Sequence, residues 1–188
     1  MAWNISTYDT SKISFGPGVL FIAPLGTTPS DNSAYDIGAV TSGAELSITR
    51  EMLDVQQGNP KQLIKRWVTA ESVQLTVNGL EIDTNKLAKS LGAGVTTTAG
   101  TLDTLLFGSD VNAQEYSVSF RHQMPSGTTV YIDLWKAQPS GEMTMTFGDE
   151  PVQVPYVFVA QDSANEWGST SNAATNSKGR LLRIRYQR

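Results

Sequence analysis

Cysteine is absent from all 188 residues, and histidine occurs once, at His122. The first absence excludes disulfides, thiolate nucleophiles and cysteine-ligated zinc. The second leaves a transition-metal centre short of its usual imidazole ligands. His122 follows Arg121 at the end of an alternating run, with no Gly-x-Ser-x-Gly elbow in the chain, and is expected to be a surface or interface residue. Charge is scarce too, at 17%. The carboxylates are dispersed, and the nearest pair, Asp149-Glu150 before Pro151, suits a turn better than acid/base work. Gly16-Pro-Gly18 and Gly92-Ala-Gly94 lack the lysine and spacing of a phosphate loop. No catalytic residue, cofactor site or metal site is expected, and the chain does not read as an enzyme.

Long apolar runs are also missing. Nothing approaches the ~20 residues of a membrane-spanning helix, and Met-Ala-Trp-Asn lacks a signal peptide's basic and apolar regions. A soluble, unexported protein without a membrane anchor is expected. Thr, Ser, Gly and Asn are abundant instead, a bias of β-rich chains with many turns. The length suits one domain, 1–188. Of the 14 cations, five (Lys178, Arg180, Arg183, Arg185 and Arg188) sit in the last eleven residues, so residues 1–177 carry nine cations against all 18 acids. An acidic body repels phosphate backbones. The basic tail reads as an edge strand with Arg183 and Arg185 on its solvent face and Leu182, Ile184 and Tyr186 on the other.

Residues 1–17 read as an arm on a neighbour or a disordered end. A short apolar strand at 18–24 and a loop at 26–36 follow. Asp83 or Thr84 caps a helix over 83–91, with Leu87 and Leu91 at i, i+4 and Gly92 as its stop. Residues 95–110 are rich in Thr and Gly, with an apolar cluster at Leu105, Leu106 and Phe107. Alternating runs predict strands at 115–121, 128–135 and 142–147, the last burying Met143, Met145 and Phe147. The run at 152–159 contains Pro155, which suggests an edge or a bulge. Residues 162–178 read as a flexible surface loop, and 181–186 as the closing strand. Seven or eight strands and one helix fit an antiparallel β-sandwich or partial barrel.

The most informative stretch lies between Gly43 and Gly79. One arm, 44–55, alternates Leu46, Ile48 and Met52 against Glu45, Ser47, Thr49 and Glu51. The other, 72–78, alternates Val73, Leu75 and Val77 against Gln74, Thr76 and Asn78. That period of two predicts a hairpin with one buried and one wetted face. Hairpin loops usually take 2–5 residues, whereas residues 56–67 intervene here, with Gly58, Pro60, three cations and Trp67. Trp67 beside Lys65 and Arg66 suits either a protein interface or an anchor for the loop base. Trp135 is expected in the core. Trp3, Trp67, Trp135 and Trp167 do not fall at stacking intervals for nucleic acid.

The run Asp36-Ile-Gly-Ala-Val-Thr-Ser-Gly-Ala-Glu-Leu-Ser-Ile-Thr-Arg-Glu51 resembles bacteriophage tail tube (major tail) proteins, with Gly38, Gly43, Arg50 and Glu51 matching the pattern. Gly16-Pro-Gly-Val-Leu-Phe-Ile-Ala-Pro24 is similar to that family's opening strand, and a returning strand followed directly by a helix continues its order. The likeness covers residues 15–94. It implies a β-sandwich with a flanking helix that oligomerises into hexameric rings, each subunit giving strands to a shared inner β-barrel. Stacked rings would form a hollow conduit in the virion tail, assembled in the host cytoplasm. DNA would pass without specific binding, and the partners would be further copies, a tape measure, a tail terminator and tail tip proteins. On this resemblance Lys61, Leu63, Ile64, Lys65, Arg66 and Trp67 in the 56–67 loop stack one ring on the next, with the cations meeting acids across the joint. Glu45, Ser47, Thr49, Glu51, Gln74, Thr76 and Asn78 would line the lumen. A type VI secretion or tailocin tube subunit, or a β-sandwich carbohydrate-binding module, are the alternatives.

Overall fold

Apolar side chains between a glycine and a proline form the first strand, β1 (Val19–Pro24). The computed structural model describes residues 16, 18–29, 32–108, 112–163 and 180–187. The expected 1–17 arm and 162–178 loop, with Trp3 and Trp167, fall almost wholly outside these. In chain order follow β2 (Val40–Gln57), β3 (Gln62–Gly79), α1 (Thr84–Leu91), β4 (Val95–Ala99), β5 (Leu102–Leu106), β6 (Tyr116–Gln123), β7 (Thr129–Pro139), β8 (Val154–Ala160) and β9 (Arg183–Gln187). The protein is mainly β, with every strand pair antiparallel and one helix among the described residues.

The main sheet runs β1-β6-β7-β8-β3-β2. Strand β7 keeps β6 along one edge and divides the other: its start pairs with β9, its end with β8. The core joins Leu20, Ile22, Val118, Phe120 and Leu134 to Val73, Leu75, Val77, Val154, Tyr156 and Phe158, all nearly inaccessible. Tyr116 meets Phe158 edge-on at 6.3 Å. At ~25 cal/mol per Å², this burial is the main force holding the sheet's strands together.

The helix begins and ends as its sequence dictates. The Asp83 carboxylate accepts from the Asn85 and Lys86 amides, and Gly92 takes the left-handed conformation that stops it. It packs on β4, β5, β7 and β8. Strand β8 is internal, but β7 reaches only its last three residues. At Pro155 the free side faces α1, where its carbonyl accepts from Ser90 Oγ at 2.5 Å, so the missing N–H breaks no ladder bond.

Two expectations fail, and one hairpin lies outside them. Residues 142–147 form no strand: Met143 and Met145 pack against the core from an irregular segment, and Phe147 is exposed. Residues 95–106 form a β-hairpin of their own that showed no alternation because most of its positions are exposed on both faces. His122 is buried rather than superficial.

Strand β9 keeps Ile184 on the face of its partner Ile132, which packs on the core, but most of the strand is exposed. Arg183 and Arg185 turn toward Asp133, while Ile184 and Tyr186 are exposed. Asp133 is 0% exposed. Its Oδ1 accepts from Ser119 Oγ at 2.8 Å, and its Oδ2 accepts from Arg183 Nε at 3.1 Å and Arg185 Nε at 2.7 Å. A buried carboxylate demands charged partners, and β7 pairs β9 so that Asp133 faces Arg183.

Candidate functional site

The β2–β3 hairpin carries the site, and its register differs from expectation in one decisive respect. Pairing continues through Asp54↔Arg66, Val55↔Lys65, Gln56↔Leu63 and Gln57↔Gln62. The 56–67 loop is therefore almost all strand, and only residues 58–61 turn. Glycine and proline signalled the turn correctly, but bulges between Glu51 and Met52 and between Val55 and Gln56 hid the alternation of the returning arm. A third irregularity between Val40 and Ala44 falls at Gly43, whose φ of 81° suits glycine.

Cross-strand partners share a face, so the register sorts every side chain. One face carries Leu46/Leu75, Ile48/Val73, Arg50/Glu71, Met52/Val68 and Asp54/Arg66. The other carries Glu45/Thr76, Ser47/Gln74, Thr49/Ser72, Glu51/Ala70 and Leu53/Trp67. The structure thus brings Glu45, Ser47, Thr49, Glu51, Gln74 and Thr76 onto one polar face. Asn78 continues that face on β3, opposite Pro155 of β8, and its carbonyl accepts from Thr41 Oγ1. All are exposed except Thr76 and Asn78, which are half-buried.

Burial ends at Val73. Beyond the Ile48↔Val73 pair, β2 runs nine more residues, about 30 Å at ~3.3 Å each, with neither face covered. Ile48, Met52, Leu53, Val55, Leu63, Ile64, Trp67 and Val68 are each 41–58% exposed. Sequence alternation placed Ile48 and Met52 on a buried face; the body of the chain does not extend far enough to cover them. Leu63, Ile64 and Trp67 likewise lie open in the single chain.

The expected stacking cations separate into two kinds. Arg66 is held within the hairpin, donating from Nε and Nη2 to the Asp54 carboxylate at 2.6 and 2.9 Å. That contact lowers the Asp54 carboxyl pKa and raises that of the guanidinium. An exposed ion pair adds little stability; it and Arg50–Glu71 at 2.8 Å both join cross-strand partners. Arg66 thus has one partner within its own hairpin while its side chain stays 53% exposed. Lys65 lies 4.0 Å over the Trp67 ring, and Lys61 sits in the turn. Trp67 is in mid-strand opposite Leu53, not at a loop–strand junction.

Two further surfaces lay beyond the reach of alternation. One is a cleft of about 680 Å³ beside Arg121, Tyr131 and Arg185. The other is the irregular segment before β8 with Glu142, Asp149 and Glu150. No cluster of three or more His, Asp or Glu able to hold a metal occurs among the described residues. No described helix is long and apolar enough to cross a membrane. No protein-family model matches the chain, and comparison with curated proteins finds no match.

Proposed function

We propose that the chain is a structural subunit that self-assembles into stacked, hexameric rings forming the hollow tail tube of a virion, through which DNA passes. The observation that carries this reading is the projecting β2–β3 ribbon with its eight exposed large apolar side chains. A two-stranded ribbon is marginal in water by itself, and both outer edges of its distal half are open to further strands. So many large apolar side chains exposed on one ribbon, on both of its faces, favour an interface. Ring closure would remove the open edges by pairing them with the next subunit's strands in a shared inner barrel, completing a sandwich-type body around it.

On this reading the polar face from Glu45 to Asn78 lines the lumen. Its only formal charges are Glu45 and Glu51, so a weakly acidic, hydroxyl-rich wall repels phosphates and lets DNA slide. A type VI secretion or tailocin tube would use the same surfaces with another cargo. A carbohydrate-binding platform is disfavoured because Trp135 is buried while Trp67 stands on the hairpin. Electron microscopy of the purified chain at rising concentration tests the proposal. Rings or tubes with a central hole are the expected result; a chain that remains monomeric throughout, with or without a tail-tip initiator, overturns it.

A further inference from the structure

The hairpin tip and the segment leading into β8 carry opposite charge. Strand β3 runs from the hairpin tip at Gln62 to Gly79, and β8 runs antiparallel to it with Val154 opposite Gly79. The residues leading into Val154 therefore lie at the end of the sheet far from the tip. Between residues 55 and 65 there are two lysines, Lys61 and Lys65, and no acid. Between residues 140 and 153 there are three acids, Glu142, Asp149 and Glu150, and no cation. All five are exposed. Glu142 accepts from Thr144 Oγ1 within its own segment.

Each end also presents apolar surface beside its charges. At the tip these are Leu63 and Ile64. At the far end Phe147 is 71% and Phe107 65% exposed, and Phe107 borders the same small recess as Glu142 and Met143. We infer that the lysine-bearing tip of one copy's hairpin docks on the Glu142–Asp149–Glu150 end of the next copy. This rests on the tube reading and names the receiving surface within it. Contact between unlike poles of identical chains is heterologous and propagates in one direction. Tip-to-tip and end-to-end contacts set like charges together and are rejected. The apolar side chains supply the adhesion, and the charges select the polarity.

The absence of cysteine makes a clean test possible. Leu63→Cys and Phe147→Cys chains, prepared separately, are mixed under assembly conditions and treated with a mild oxidant. Disulfide-linked dimers are expected in the mixture and at much lower yield in either variant alone. In parallel, Lys61→Glu/Lys65→Glu is expected to raise the concentration needed for assembly roughly tenfold or more, equivalent to about 1.4 kcal/mol. Adding Glu142→Lys/Asp149→Lys/Glu150→Lys to the same chain is expected to restore it. Circular dichroism checks that each variant folds, and the cross-linking readout stands even if the fivefold variant does not. Mixed Leu63→Cys and Phe147→Cys chains that assemble into tubes without the mixed cross-link, or lysine reversals that assemble normally, overturn the pole-to-pole contact and leave the tube reading in place. A wild-type chain that never assembles overturns both.

Discussion

Two arginines and a serine converge on the Asp133 carboxylate, and this convergence ties β9 to β7. Removing one partner of a buried ion pair usually costs 3–5 kcal/mol. The arginine side chains retain 28% and 45% exposure, so solvent offsets part of that. Asp133→Ala is expected to cost about 2–4 kcal/mol in urea unfolding, and an unchanged midpoint would sink the assignment. Tyr156 presents the reverse case. Its hydroxyl is buried without a hydrogen-bond partner, and burial, with Asp83 and Glu81 adding to it, raises its pKa well above the ordinary tyrosine value. Below pH ~10 both folded and unfolded chains hold this proton. Above it the unfolded chain loses the proton first, so ν_U falls below ν_N and stability declines as pH rises. Tyr156→Phe is expected to be neutral or stabilising at pH 7 and to flatten the decline above pH 10. The slope that remains belongs partly to Tyr116, whose pKa burial also raises. Unfolding midpoints at pH 7 and at pH 10–11 measure both effects.

At the scale of elements, the outer hairpin and the body are separable. Every core residue contributed by β3 lies between Val73 and Val77, and Glu51↔Ala70 is the last cross-strand pair before the first distal bulge. Residues 52–69 can therefore be replaced by an Asn-Gly turn without removing a core side chain. This truncation is expected to change unfolding stability by less than about 1 kcal/mol while abolishing rings and tubes. Calorimetry and electron microscopy on the same preparation read the two effects. Long tubes from the truncated chain would rule the hairpin out as the assembly element.

At the scale of the whole molecule, nine cations face 18 acids over residues 1–177, and the proposed lumen face shares that acidic bias. Glu45→Lys/Glu51→Lys places cations on the polar face without touching the core. Tubes should still form, but DNA release through them should slow and become salt-dependent, because phosphate contacts displace counterions. Release as fast as wild type at low salt would remove the lumen assignment. The division of the β7 edge between β8 and β9 keeps this face and the hairpin at a distance from the Asp133 cluster in sequence and in pairing. The assembly variants and the stability variants should therefore be independent of one another.

Local chemistry decided much of this protein in advance. The Asp83 cap and Gly92 stop set the helix, because each acts within one turn. Alternation at 44–55 and 72–78 set which side chains share a face of the hairpin, because strand side chains point to opposite faces whatever lies above them. Alternation says nothing about what covers a face. Ile48 and Met52 read as buried and are exposed because the body ends at Val73. Arg183 and Arg185 read as solvent-facing and instead bind Asp133, fifty residues earlier and buried on β7. Two bulges concealed a strand where glycine and proline suggested a long loop. Residue order determined the faces and the turns; only tertiary packing decided which faces meet water and which charges already have partners, since both depend on contacts between residues far apart in the chain.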